Sequence, residues 1–234
     1  MKTLNEQYYS LRLMLEAAVP SPAVFAVGCA TEKDESENVA CNLARAFADA
    51  GYKTVVVDPD GGDVFHAKYG MKVPITADLS SMSAGATNGT IKNLSALALT
   101  GKVLRTSTSA RKMQDAIADL RLRFDIIIVN AGIMTSKPEA LQFARAADGV
   151  ILSFRFGRKA QREDRDLTEM LERVGATLLG VVGIVGDGDR RPEPAFRAPR
   201  SEDSTPATPA PSAVRGFSAP LPVVPVVQAT KEAV

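Results

Sequence analysis

The stretch Ala23-Val24-Phe25-Ala26-Val27-Gly28-Cys29-Ala30, followed by Thr31-Glu32-Lys33-Asp34-Glu35-Ser36-Glu37-Asn38, decides how the chain is read. The apolar run reads as a buried strand over about residues 23–29. A helical pattern follows, with Val39, Leu43, Phe47 and Ala50 on one face and Gly51 placed to end it. Strand, loop and helix in that order put backbone N–H groups where a nucleotide-binding α/β protein cradles phosphate. Such a loop wants glycines, a lysine and a hydroxyl. Residues 31–38 offer four carboxylates, one lysine and no glycine.

Outward from that junction the pattern repeats. Leu4, Tyr8, Leu11 and Leu15 predict a helix within residues 1–19, and Val19-Pro20-Ser21-Pro22 breaks it. Lys53 to Asp58 is a β-branched run and predicts a second strand. Residues 80–90 read as a loop, and Leu94 to Leu99 as a short strand. Met113, Ile117 and Leu120 mark a helix that leads into Phe124-Asp125-Ile126-Ile127-Ile128-Val129-Asn130, the clearest strand. A helix near 138–147, a strand from Gly149 to Phe154, a helix burying Leu167, Met170, Leu171 and Val174, and a strand from Leu178 to Val185 close the series. Continuous apolar strands alternating with helices predict an α/β fold, a mostly parallel sheet with helices on both faces. In such sheets ligands bind beyond the carboxyl ends of the strands, where Asp58, Asn130 and the loop at 30–38 are expected to converge.

Composition narrows the function. A formal net charge of +1 gives no electrostatic footprint for nucleic acid. No apolar run approaches the ~20 residues that span a bilayer, and the N-terminus lacks a signal pattern, so no direct membrane insertion is expected. Cys29 and Cys41 read as small buried hydrophobes in a reducing compartment, which points to a cytoplasmic protein. His66 stands alone and carries no metal or catalytic reading. Residues 187–234 are rich in Pro, Ala and Ser, with basic and acidic residues in balance, and are expected to be disordered. Their apolar patch, Leu221 to Val227, reads as part of an inert tail or as a docking segment. The expected organisation is an N-terminal helix and linker (1–22), an α/β domain (23–186) and this tail (187–234).

With those motifs in order, the chain resembles the cytoplasmic ATPase domain of the bacterial tyrosine kinases of capsule and exopolysaccharide synthesis. These are relatives of the partition and division-site ATPases. Glu6-Gln7-Tyr8-Tyr9-Ser10-Leu11-Arg12 is similar to the family's E-x-[YF]-R-x-L-R, and Val27 to Ala44 to its strand, Walker A loop and N-L-A helix. Lys53 to Asp60 resembles the Walker A′ strand, with D-x-D as Asp58-Pro59-Asp60, and Arg123 to Asn130 the Walker B strand. Ala147 to Leu152 and Gly175 to Val182 resemble the later strands. The resemblance spans about residues 4–186 and implies a P-loop NTPase-like fold of the deviant Walker type.

The departures fall on the chemistry. The family's G-E-G-K-S-T lies on Lys33-Asp34-Glu35-Ser36-Glu37-Asn38, so Ser36 stands at the phosphate lysine and Glu35 at a glycine. The Mg²⁺ hydroxyl position is Glu37 or Asn38, according to the alignment, and the Walker B aspartate is Asn130. Asp58 and Asp60 remain. The family's tail carries clustered tyrosines that are phosphorylated; here Tyr8, Tyr9, Tyr52 and Tyr69 all precede residue 70. A carboxylate about 6 Å from a phosphate charge, at effective dielectric ~20, costs about 3 kcal/mol. Micromolar affinity totals only ~8 kcal/mol, so one or two inward carboxylates erase it. Asp34 and Glu37 are instead expected to stabilise the start of the following helix. A divalent cation on Asp58 with Glu35 or Glu37 is disfavoured, because nothing fixes the ligand geometry.

The basic cluster Arg155, Arg158, Lys159, Arg162 and Arg165 reads as a solvated mixed-charge helix face, with contact to an acidic segment as the alternative. The family's ring assembles through E-x-x-R-x-x-R. Glu6 and Arg12 match as interaction residues, but Tyr9 replaces the first arginine, so a smaller or mixed oligomer is the open expectation. Three functions follow from the resemblance. The first is a catalytically degenerate relative, with no cofactor and no catalytic residue. It would dock on the cytoplasmic face of a membrane-embedded polysaccharide co-polymerase and so lie at the periphery of the inner membrane. The second is an active, divergent ATPase or tyrosine kinase, using ATP and Mg²⁺ with Lys33 or a distant lysine. The third is a partition-type positioning protein.

Overall fold

A computed structural model describes residues 6–61, 65, 68–76, 79, 82–100, 110–159, 161–185 and 227–228. The apolar runs become the strands of one sheet: β1 (Ala23–Cys29), β2 (Thr54–Asp58), β5 (Leu94–Leu99), β6 (Ile126–Ile133), β7 (Gly149–Arg155) and β8 (Leu178–Val185). Shorter strands add β3 (Ile75–Thr76), β4 (Thr87–Asn88) and β9 (Val227–Gln228). The order is β3-β5-β2-β6-β1-β7-β8-β9, with β4 beside β5. Every pairing is parallel except β4 with β5. β1, at the centre, is buried along its whole length, which is why it carries no alternation of polar residues.

Period-two alternation sends the strands' side chains to two faces. Phe25, Val27, Val56 and Ile128 meet α1 (Glu6–Ala18) and α2 (Ser36–Asp49) on one face, in a core with Tyr8, Leu11, Leu15, Val39, Leu43 and Phe47. Val24, Val57, Ile127 and Val129 meet α3 (Ala110–Arg121) on the other. There α4 (Pro138–Ala146) and α5 (Arg162–Val174) cover Ala26, Val150 and Leu152. The α/β architecture with helices on both faces is therefore as expected from the sequence. Both cysteines are buried and free, also as expected.

Several local expectations are corrected. Within residues 80–90 a 3-10 turn (Ser83–Gly85) and β4 replace the simple loop. β5 is wholly buried, and β3 covers its edge at Ala98–Leu99 while β4 covers it at Ser95–Ala96. Its backbone groups thereby find partners on the side away from β2. β6 starts two residues later than predicted and runs past Asn130, because β1 continues alongside it to Cys29 after a register shift. On α5 only Leu167 and Leu171 are buried, while Met170 and Val174 are half-exposed. Ala50 caps α2 from an exposed position. Leu4 and His66 lie outside the described residues, as does the tail except for β9. Val227 and Gln228 pair with Ile184 and Val185 on the edge of β8. Among the described residues no helix is long and apolar enough to cross a membrane.

Candidate functional site

Cys29 and Asp58 end β1 and β2, and Asn130 lies within β6 between them, on the face that α2 covers by the same alternation that places Val27, Val56 and Ile128 there. The start of α2 lies over them. The Cys29 thiol reaches the Ser36 hydroxyl at 3.4 Å and the Gly132 carbonyl at 3.5 Å. Burial raises the Glu37 carboxyl above its usual range; Lys68 opposes the shift, and Asp58 and Glu35 add to it. Asp58, Asn130 and the start of α2 thus lie together at one end of the sheet.

The loop itself is closed by internal bonds. Glu32–Asp34 forms one 3-10 turn, and Asp34 is 0% exposed. The Asp34 carboxylate accepts from the Thr31 N–H (3.2 Å), the Thr31 hydroxyl (2.8 Å) and the Arg155 N–H (2.8 Å). It also accepts from Arg158, Nε at 2.8 Å and Nη2 at 3.0 Å. The same guanidinium donates to both oxygens of Asp164, at 2.7 and 2.6 Å, and the Gln161 N–H closes on Asp164 at 2.8 Å. Hydrogen bonding to Arg158 holds the Asp164 carboxyl below its usual range, and the two carboxylates push the Arg158 guanidinium up. One arginine therefore ties the loop to the first turn of α5.

Glu35 adopts φ 45°, ψ 42°, the left-handed conformation that favours glycine. Its side chain is held by the Asn38 amide, which donates at 2.6 Å, and by Arg155 at 3.9 Å. Asp60 pairs with Lys137, the residue before α4, and Asp58 Oδ1 accepts the Asp60 N–H at 3.1 Å. Asn130 is 7% exposed, and its Oδ1 has no partner among the described residues. No group of three or more His, Cys, Asp or Glu among the described residues is arranged to hold a metal ion.

No family model matches the chain. It is 27% identical over 192 residues to the tyrosine-protein kinase CpsD of Streptococcus pneumoniae, covering 78% of this chain and 84% of that one. Its fold matches the kinase domain of the Escherichia coli tyrosine kinase ETK with a TM-score of 0.64, at 18% identity, over 80% of this chain and 78% of that one. It also matches the cell division ATPase MinD of Pyrococcus furiosus with a TM-score of 0.56, at 17% identity, over 69% and 71% of the two chains. The chain is similar to bacterial tyrosine kinases and has a P-loop NTPase-like fold. The left-handed Glu35 puts a backbone that favours glycine under a carboxylate side chain.

Two side-chain expectations change. Asp34 turns away from the start of α2 to Arg158, because a buried carboxylate gains more from a bidentate cation than from a helix end. Only Glu37 remains in the first turn of α2. The basic cluster is not uniformly solvated: Arg155 and Arg158 meet the acidic loop of their own chain, whereas Arg162 is exposed and pairs with Asp166. Of the N-terminal pair, Glu6 is exposed and Arg12 bonds Glu16 one turn on, while the Tyr9 hydroxyl donates to Asp49 of α2 at 3.2 Å. Sequence reasoning missed the Asp34–Arg158 and Asp60–Lys137 pairs. The available signal was opposite charge at the same end of neighbouring strands.

Proposed function

We propose that the chain is a catalytically degenerate relative of the bacterial tyrosine kinases, acting as the cytoplasmic partner of a membrane-embedded polysaccharide co-polymerase. The observation that carries this reading is Asp34, wholly buried and closed on Arg158 in the loop that would hold phosphate. A phosphate there needs a lysine and free backbone donors. Ser36 is too short to reach it and lies against Cys29. Glu35 and Glu37 border the same space with negative charge, and Asn130 supplies a neutral oxygen where a Mg²⁺ site wants a carboxylate. The residues present do not fit Mg-ATP. What remains is a rigid α/β frame, suited to docking. Docking on a co-polymerase, and with it a place at the inner membrane's periphery, rests on the resemblance to the kinases.

Isothermal titration with Mg-ATP tests the first half. No heat beyond dilution is expected, and saturable binding at micromolar levels would overturn the degenerate reading. Co-sedimentation with membranes that contain the co-polymerase, against membranes that lack it, tests the second. Equal recovery from both would reject the partner. An active ATPase is the second reading. It is favoured by Lys137, a cation paired with Asp60. Turnover abolished by Lys137→Met would establish it.

A further inference from the structure

We infer that the opposite end of the sheet holds a second ligand site, for a phosphate ester on a ring-sized body. A cleft of about 490 Å³ opens where β2, β5 and β6 begin, far along the strands from Asp58 and Asn130. Its volume lies in the range of small-molecule sites. Lys53, Lys92 and Arg123 line it, and no carboxylate does. Lys53 and Lys92 have no ion pair among the described residues. Asp125 borders the cleft in sequence, and one oxygen of its carboxylate accepts the Lys53 N–H at 2.8 Å. Arg123 spends one Nη1 bond on the Ser83 carbonyl at 2.6 Å and keeps further donors.

The walls are fixed before any ligand arrives. The Thr54 N–H bonds the Asn93 carbonyl at 2.8 Å, and the Asp125 N–H bonds the Lys53 carbonyl at 2.8 Å. Asn93 sits at φ 63°, the left-handed turn that brings Lys92 to the rim. Half-buried Ile91 and Phe124 supply an apolar surface for a ring face. The Asn88 side-chain oxygen accepts from Ser95 at 2.8 Å, which leaves its amide N–H groups to donate to ring substituents. Cations, an amide and an apolar wall around a small concavity are the recognition chemistry of a phosphate ester. The inference is independent of the reading of the loop at 31–38.

The test titrates the full chain with glucose 1-phosphate and uridine monophosphate, with glucose and inorganic phosphate alongside, followed by NMR shifts. Saturable binding of one or both esters is expected, and which one binds tells a sugar ligand from a nucleotide. Lys53→Gln and Lys92→Gln, whose side chains carry none of the wall bonds, should each weaken it roughly tenfold without changing the melting temperature. No saturation by either ester overturns the site. So does inorganic phosphate binding as tightly as the esters, affinity unchanged in the double variant, or a deca-aspartate peptide binding where the esters do not.

Discussion

Replacing Asp34 by alanine leaves Thr31 and the Arg155 N–H without their shared acceptor and leaves Arg158 with one carboxylate in place of two. Breaking a buried pair by removing one partner costs roughly 3–5 kcal/mol. That loss is expected in urea unfolding for Arg158→Ala, which strands the buried Asp34 carboxylate, and a smaller one for Asp34→Ala, since Arg158 keeps Asp164. The double variant should cost less than the sum, since the buried carboxylate that Arg158→Ala alone would strand is then absent. Additivity within ~0.5 kcal/mol would show that the pair is not coupled. Asp164 adds an acid limb: its folded pKa is depressed, chiefly by Arg158. Its contribution is therefore present above the unfolded carboxylate value and is lost as pH falls through the lower folded value. Arg158→Ala should flatten that limb. At Glu35 the left-handed backbone costs about 1–2 kcal/mol for an L-residue, offset by the bonds to Asn38 and Arg155. Glu35→Gly is expected to be neutral within about 1 kcal/mol. Glu35→Ile, branched at Cβ and unable to make those bonds, should lose roughly 2 kcal/mol or more in the same assay. Equal losses for the two would contradict the backbone assignment.

At the scale of elements, α1 and α2 meet through groups that resist ionisation. Tyr8 of α1 is pushed up to about 12, mostly by burial with Cys41 and Glu35 adding and a hydrogen bond to Asn42 opposing. Cys41 of α2 is likewise pushed up to about 12, first by burial. Both folded values lie above the unfolded ones of 10.0 and 9.0. Stability is then fully present below pH 9 and is lost as pH rises from there through about 12, because the unfolded chain releases protons that the folded one retains. A melting-temperature profile from neutral to alkaline pH should fall in that window, and Tyr8→Phe with Cys41→Ala should flatten it. An unchanged slope in the double variant would place the alkaline sensitivity elsewhere. The same elements show what a sequence reveals. β1, β2 and most of β6 were legible because a strand buried on both faces must be apolar throughout. β3 and β4 were not, since two residues become a strand only when β5 offers them its edge. The loop's composition was legible, but its closure was not. Arg158 lies 124 residues from Asp34, and only the sheet order sets β7 beside β1.

At the scale of the molecule, frame and loop answer to different demands. The sheet is a sum of many buried apolar contacts and survives the loss of any one function. A phosphate loop depends on a few residues; at residues 31–38 Asp34 and Glu35 bond to their own chain instead. A folded protein that binds ligand at a hundredfold excess over Kd gains about 2.7 kcal/mol, which for a chain of this size is a rise of roughly 5–10 °C in melting temperature. On the proposed degenerate reading the expected rise with millimolar Mg-ATP is zero, because the carboxylates of Asp34, Glu35 and Glu37 would fill or repel the position of a triphosphate. The closure sharpens the test. If Asp34 and Arg158 alone blocked an otherwise competent site, Asp34→Gly would open it and produce a nucleotide-dependent rise. Ser36, Glu37 and Asn130 make that outcome physically unfavourable, since opening the loop restores neither the lysine nor the metal-binding carboxylate. Asp34→Gly should therefore melt lower than the parent and remain indifferent to Mg-ATP. A rise in that variant would mean that the kinase chemistry is latent behind one ion pair.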